Sequence, residues 1–391
     1  MSSLIVEVCI VDAVDKHPSA DLLEVVTVKG WRTCVKKGQF KQGDTCVFIP
    51  PDAVLPEGLS EALGVTKYLS PVKRDGTLIG FRVRVARLRS EPSYGLVMAL
   101  PPTSAVLPWV VGTDVATQLG ITKWEPPQTC TDGDAERPNP SFHRYYDMEN
   151  YLNFPDLIPE GEEVKFTEKV HGRNWRGGIV REPDENGVMQ WVFAAGSHDV
   201  RRKPTCQQRK RRENPETGEV EFYYVERKCQ FWEVFDKLPR LKEMISKIAS
   251  GGEAIPIHNV VVFGEIYGSG VQDMAYGLSN GAWDLRVFDI TVDGKYLSHY
   301  EVAFHCNNFD IPMVNVLYRG PFSKAKVEEY VSGPTTMCDQ SVAGSFKERE
   351  GIVISTMTER PVVTKQKVFE RSVLKAINFK YLERKNATEQ H

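Results

Sequence analysis

The chain has 391 residues, 41% of them hydrophobic and 26% charged, with a formal net charge of -3. At roughly 150 residues per domain, it has room for two or three domains with real cores. No run approaches the roughly 20 apolar residues that a spanning helix needs, and the first segment, "MSSLIVEVCIVDAVDKHPSAD", is too acidic and polar for a secretory signal.

The first hundred residues read as β-rich. "LLEVVTVKG", "TCVFIPPD", "GFRVRVARLR" and "YGLVMALP" are short Val, Ile, Phe and Thr runs bounded by Gly, Pro and Asp, the pattern of a small barrel. In "FRVRVARLR" the alternation predicts Phe81, Val83 and Val85 facing a core, with Arg82 and Arg84 facing outward. Those arginines suit either a surface that tracks phosphates or an edge strand kept soluble by charge. From Pro101 to about Pro140 the composition shifts to Pro, Thr, Asp and Gly, and "PPQTCTDGDAERPNPS" is the clearest linker. The predicted organisation is a β-barrel over 1–110, a linker over 111–145 and an α+β domain with a largely antiparallel sheet over 146–391.

In the second domain, "VKFTEKV", "MQWVFAAG", "EFYYVERK", "NVVVFGEIYG", "WDLRVFDI" and "EGIVIST" predict strands. "CQFWEVFDKLPRLKEMISKIAS" and "SKAKVEEYVSG" have helical spacing of apolar residues. The run from Arg201 to Arg212, "RRKPTCQQRKRR", carries seven basic residues and no acidic one. It reads first as a solvated loop or import signal and second as a clamp for a polyanion. The eight cysteines contain no CxxC pair, so neither a zinc site nor a disulfide framework is expected, and they read as reduced packing residues of an intracellular protein.

Lys169 lies in a strand-like run just before the turn signal His171-Gly172, and a surface charge is the ordinary reading of such a lysine. Glu265 ends an apolar run before a glycine-rich turn, Glu350 precedes a strand-like run, and Lys375 lies in a closing apolar strand. Their order resembles the covalent nucleotidyltransferase superfamily of polynucleotide ligases and capping enzymes. "EKVHGRN" is similar to its motif I, KxDG, with His in place of Asp. "FGEIYG", "RVFDI", "EGIVI" and "LKAINFKYL" resemble motifs III, IIIa, IV and V. The stretches "HPSADLLEVVTVKGW", "KQGDTCVFIPPDAVLPE" and "RYYDMENYLNFPDLIPEGEEV" resemble the amino-terminal OB module and lead-in of the Deinococcus-type RNA ligases. Arg173 stands where Thr is usual, Ser355 where Lys or Arg is common, and motif V has one lysine instead of two. "TKQK" over 364–367 lies off the "VLKAI" strand and is set aside.

The resemblance implies an OB-like barrel followed by an adenylation domain, using ATP and Mg²⁺ or Mn²⁺ to join RNA 3′-hydroxyl and 5′-phosphate ends. It implies Lys169 as the residue that carries AMP, Glu265 on the ribose, Phe288 on adenine and Lys375 on the α-phosphate. Arg173 and Asn174 would meet phosphates, and Glu350, supported by Glu265 and His171, would hold the metal largely through water. Arg82, Arg84, Arg201 and Arg202 are the candidate RNA contacts, Arg201 or Arg202 doubling for the arginine of motif Ia. A lysine amine attacks only when unprotonated, and its ordinary pKa is about 10.4, so such a pocket must gather positive charge. The short tail after motif V leaves no room for a carboxy-terminal domain, which favours an RNA ligase over a DNA ligase or a guanylyltransferase. A decayed, non-catalytic RNA binder is the reading from another class. No obligate protein partner and no membrane are called for.

Overall fold

The structure, a computed structural model, describes residues 3–100, 109–125, 134–213, 220–342, 344, 346–364, 367–384 and 387. Its first domain is built from short antiparallel strands. Glu7–Ile10, Thr45–Ile49 and Leu96–Ala99 form one sheet, and Ala13–Lys16, Leu23–Val28 and Trp31–Lys36 form a meander beside it. Lys29 and Gly30, both with positive φ, close the tight hairpin between Leu23–Val28 and Trp31–Lys36, as a two-residue loop in a twisted ribbon requires. Inside lie Val6, Val8, Val47, Ile49, Leu55 and Val83.

Two expectations for this region need correcting. Val115 and Ile121 pack into the same core, and Thr122–Lys123 pairs with Ala53–Leu55, so residues 109–125 complete the barrel rather than begin a linker. At the other end of the expected linker, Phe142 and Tyr145 belong to the core of the second domain. The part of the linker over 126–133 lies outside the described residues. The arginine-bearing strand is also broken, because Thr77–Arg82 and Ala86–Leu88 are separate elements in different sheets. Arg82 faces inward: it pairs with the buried Asp52 at 2.5 Å and lies over the Trp124 ring at 3.4 Å. A cation held by a buried carboxylate and a ring is a structural tie, not a solvated phosphate contact.

The second domain sets two sheets against each other. The first runs in the order Glu149–Asn150, Val373–Ile377, Gly351–Thr356, Glu163–Lys169, Val316–Pro321. The second runs in the order Arg201–Arg202, Met189–Gly196, Arg173–Pro183, Val260–Gly268, Trp283–Val292, Lys295–Tyr296. All pairs are antiparallel except that of Glu149–Asn150 with Val373–Ile377. The helical stretch after Cys229 is two helices, Gln230–Lys237 and Pro239–Ser250, because Leu238 precedes a proline and leaves the helical region, while Pro239 opens the next helix. Both cover the outer face of the second sheet through Phe235, Leu241, Met244 and Ile245. The basic run forms no loop: Thr205–Glu213 pairs along its length with Val220–Lys228 in a two-stranded ribbon.

The two domains share a core. Trp31, Phe48 and Tyr94 of the barrel cluster with Val170, Tyr267, Ile377 and Tyr381 of the second domain. Phe379 wedges between Trp31 and Tyr94 at ring distances of 5.3 and 4.7 Å. Tyr94 donates to Glu383 Oε1 at 2.6 Å, and Arg87 pairs with the same carboxylate. No helix among the described residues is long and apolar enough to cross a membrane.

Candidate active site

Alternation along Glu163–Lys169 decides what enters the space between the sheets. Val164 and Phe166 fill the core on one side, so Lys165, Thr167 and Lys169 project to the other, where all three line a cavity of about 380 Å³. The facing wall supplies Asn174, Glu265, Phe288 and Asp289, and the floor supplies Val353, Ser355, Val373 and Lys375. Thus Lys169, Arg173, Asn174, Glu265, Phe288 and Lys375, scattered over some 200 positions of sequence, line one cavity.

Lys169 is not a surface charge, being only 8% exposed, and its Nζ donates to Glu350 Oε1 at 2.6 Å. The pairing of Lys169 with Gly351 in the sheet places Glu350 beside it. Gly351 is required for that approach, since a Cβ there would come within 2.1 Å of the Ala376 carbonyl oxygen. Gly172 is equally constrained: a Cβ would fall 2.2 Å from the Ile266 carbonyl oxygen. Glu265 lies opposite Asn174 in register. Burial pushes its pKa up from 4.5 to about 8, against the lowering influence of Lys169, with Glu350 adding to the rise. An acid held neutral this way stores a charge that a bound cation can draw out.

His171 is not among the cavity-lining residues, and its Nδ1 lies 3.9 Å from Glu350 Oε2. It is buried, its Nε2 is 2.8 Å from Asp273 Oδ1, and its Nδ1 is 3.0 Å from the Tyr381 hydroxyl. Both ring nitrogens are therefore engaged, and the ring braces the turn after Lys169, whose backbone N–H at His171 donates to the Tyr276 hydroxyl at 2.7 Å. Burial lowers its pKa, so the ring favours the neutral form. Among the described residues no group of three or more His, Cys, Asp or Glu side chains forms a ready metal cage. The fit to a divalent cation rests on Glu350 Oε2, which is fully buried beside Lys169 and without a hydrogen-bond partner among the described residues although Glu350 is not among the cavity-lining residues, and on Glu265, which does line the cavity. One or two carboxylates with waters completing the shell is what Mg²⁺ takes at a phosphate site.

All four candidate RNA arginines lie outside the cavity. Arg82 is the structural tie described above, Arg84 lines a small crevice at the domain boundary with Leu382 and Arg384, and Arg201 grips Glu182 through two bonds of 2.6 and 3.0 Å. Just ahead of Arg201, Ser197, His198 and Asp199 do reach the cavity. Arg202 lies over the Phe231 ring at 5.7 Å and is likewise not among the cavity-lining residues.

Several cavity residues were missed from sequence. Tyr145 donates to Asp289 Oδ2 at 2.7 Å, and Arg371 donates to the same oxygen at 2.9 Å while its other nitrogens bond Glu359. Tyr145 also meets Phe288 edge-on at 4.9 Å, which fixes that ring in the cavity wall. Lys165 stands directly opposite Ser355 in register, so a cation faces the position where the resemblance led one to expect its own. Period-two alternation from Lys169 was the signal that would have found it.

With this geometry in hand, the comparisons with known proteins define the class. The RNA ligase family model matches residues 162–377, more than half of the chain, and an OB-fold domain model matches residues 5–100. The chain belongs to the RNA ligase family, with an OB-fold region ahead of its ligase domain. Among solved structures it is similar to Naegleria gruberi RNA ligase with PPi, at 22% identity and a TM-score of 0.63 over 97% of this chain and 98% of that one. A variant of that ligase with ATP and Mn aligns at 22% identity with a TM-score of 0.67, over the same shares of each chain. Another, with AMP and Mn, also aligns at 22% identity over those shares, with a TM-score of 0.66. Among curated proteins, none matches significantly.

Proposed function

We propose that the protein is an ATP-dependent RNA ligase that seals breaks with 3′-hydroxyl and 5′-phosphate ends in nicked duplex or bridged RNA. The observation that carries this reading is the buried Lys169 amine, 2.6 Å from Glu350 Oε1, at the wall of a cavity whose opposite wall holds Glu265, Asn174 and Phe288. The Naegleria ligase bound with ATP and Mn supports the choice of nucleotide and of a divalent cation. An OB-fold region followed by a ligase domain supports placement in the Deinococcus-type branch.

In the first step Lys169 Nζ attacks the α-phosphorus of ATP. The N–P bond forms, the bond to the leaving pyrophosphate breaks, and the amine proton passes to Glu350 Oε1, the acceptor already in contact. Next an RNA 5′-phosphate oxygen attacks the same phosphorus, and Lys169 leaves with its proton restored. A 3′-hydroxyl then attacks the RNA 5′-phosphate, AMP departs, and the hydroxyl proton is released. Phe288 stacks on adenine, Glu265 holds the ribose, and Asn174 with Arg173 meets phosphate. Lys165 and Lys375 meet charge spreading over phosphate oxygens, and the preorganised cations lower each barrier without rearrangement. Glu350 and Glu265 would hold a divalent cation, which supplies positive charge that offsets phosphate charge and favours the neutral amine.

The test incubates the protein with α-labelled ATP or GTP and Mg²⁺, then supplies nicked duplexes that differ only in the sugar at the 3′-hydroxyl end. The reading expects acid-stable label from ATP and sealing of the RNA-ended nick. RNA binding without label would point to the non-catalytic binder, and equal sealing of a DNA-ended nick would remove the RNA specificity.

A further inference from the structure

The basic run singled out in the sequence is one strand of an exposed ribbon, and its partner strand is aromatic. Arg209 stands opposite Tyr224, Lys210 opposite Tyr223, Arg211 opposite Phe222, and Arg212 opposite Glu221. All of Val220–Lys228 is exposed, including Tyr223 at 45% and Tyr224 at 62%. A two-stranded ribbon in water gains little from burial, and charge alone would keep such an edge soluble. Neither consideration explains consecutive exposed rings.

Cross-strand partners share a face, and faces alternate along each strand. One face therefore carries Lys210, Arg212 and Arg227 with Tyr223 and Glu221; the other carries Arg211 and Lys228 with Phe222, Tyr224 and Glu226, and its Lys228 is paired with Asp236. The first face leads to the active site. At the root of the ribbon the Cys229 N–H donates to the Pro204 carbonyl at 2.8 Å, and the next residue, Gln230, accepts from Arg173 Nη1 at 2.9 Å. Arg173 lines the cavity. Burial lowers the pKa of its guanidinium, and Arg202 and Arg227 lower it further, which places the root cations beside it.

We infer that the face bearing Lys210, Tyr223, Arg212 and Arg227 is an RNA-binding arm that carries a strand away from the mouth of the nucleotide cavity. Cations at two-residue spacing match a phosphate backbone, and an exposed ring among them offers a base a stacking platform. The inference rests on the proposed ligase reading for the identity of its RNA, but its test reads binding directly.

The full chain and its variants are titrated by fluorescence anisotropy with a 5′-phosphorylated RNA, single-stranded and nicked duplex, over a range of salt, alongside ATP labelling of Lys169. Lys210→Glu with Arg212→Glu should weaken RNA binding about tenfold or more and flatten the logarithmic salt dependence by about 1.4 for single-stranded RNA, two contacts' worth. The milder pair Lys210→Gln with Arg212→Gln should flatten it likewise. Tyr223→Ala should weaken binding roughly fivefold or more, while Tyr224→Ala on the other face should stay within about twofold. ATP labelling should be unchanged in all four. Binding and slope equal to the unsubstituted protein, or an equal loss from both tyrosines, would overturn the assignment. If the unsubstituted protein binds RNA but takes no label and seals nothing, the ligase reading fails while the arm is still judged by the anisotropy.

Discussion

Lys169 and Glu350 are coupled, so removing one acts on the other. Lys169→Ala should abolish labelling from ATP, but it also leaves a fully buried carboxylate facing a gap. We expect a stability loss of about 3–5 kcal/mol, read by chemical denaturation, and substantial recovery in Lys169→Ala with Glu350→Gln, which still takes no label. A single substitution as stable as the parent would mean that the ion pair is not buried as described. Glu265 gives a pH signature. Its folded pKa is raised from 4.5 to about 8, so its contribution to stability is present in full below about 4.5 and is lost as the pH rises through about 8. Glu265→Gln should match the parent at pH 4 and exceed it by roughly 1–2 kcal/mol near pH 8, the figure being kept small by pocket water, while ATP labelling falls. Parallel stability profiles from pH 4 to 9 would contradict the burial.

At the scale of elements, strand placement separates two lysines that look alike in sequence. Lys375 lies in Val373–Ile377, is buried, and lines the cavity, whereas Lys367 pairs with Glu149 away from it. Lys375→Ala should lower both ATP labelling and the sealing of pre-adenylylated RNA by about a hundredfold, as loss of one charge-stabilising group does. Lys367→Ala should leave the labelling rate within about twofold, although the loss of its bond to buried Glu149 will cost some stability. A severe labelling defect from Lys367→Ala would move motif V to the 364–367 segment, where Lys365 lies outside the described residues. The strands themselves were legible because period-two alternation is a property of the local backbone. "MQWVFAAG" coincides with Met189–Gly196, and "VLKAI" with Val373–Ile377. The break after Arg82 was not legible, since the alternation of residues continues where the chain changes sheet.

For the whole molecule, the described residues that line the cavity all come from Tyr145 onward, yet the ligase domain is not independent of the barrel. Trp31, 2% exposed, packs on Phe379 next to Tyr381, and Tyr381 in turn reaches the His171 ring behind Lys169. Trp31→Ala should therefore destabilise by about 3–5 kcal/mol and lower ATP labelling as well as sealing, measured at a temperature where the parent is fully folded. Loss of sealing alone would show that the barrel acts only on RNA. By itself the sequence determined the two-domain order and most strands, because these follow from local alternation and composition, and its resemblance to the ligases pointed to the residues gathered at the cavity. Tertiary structure alone decided that Glu350 lies under Lys169, that Arg82 serves Asp52 and that His171 is braced on both nitrogens. Each of those pairings joins segments brought together by sheet register or domain packing, and a buried charge or ring takes its role from the partner that burial leaves within reach.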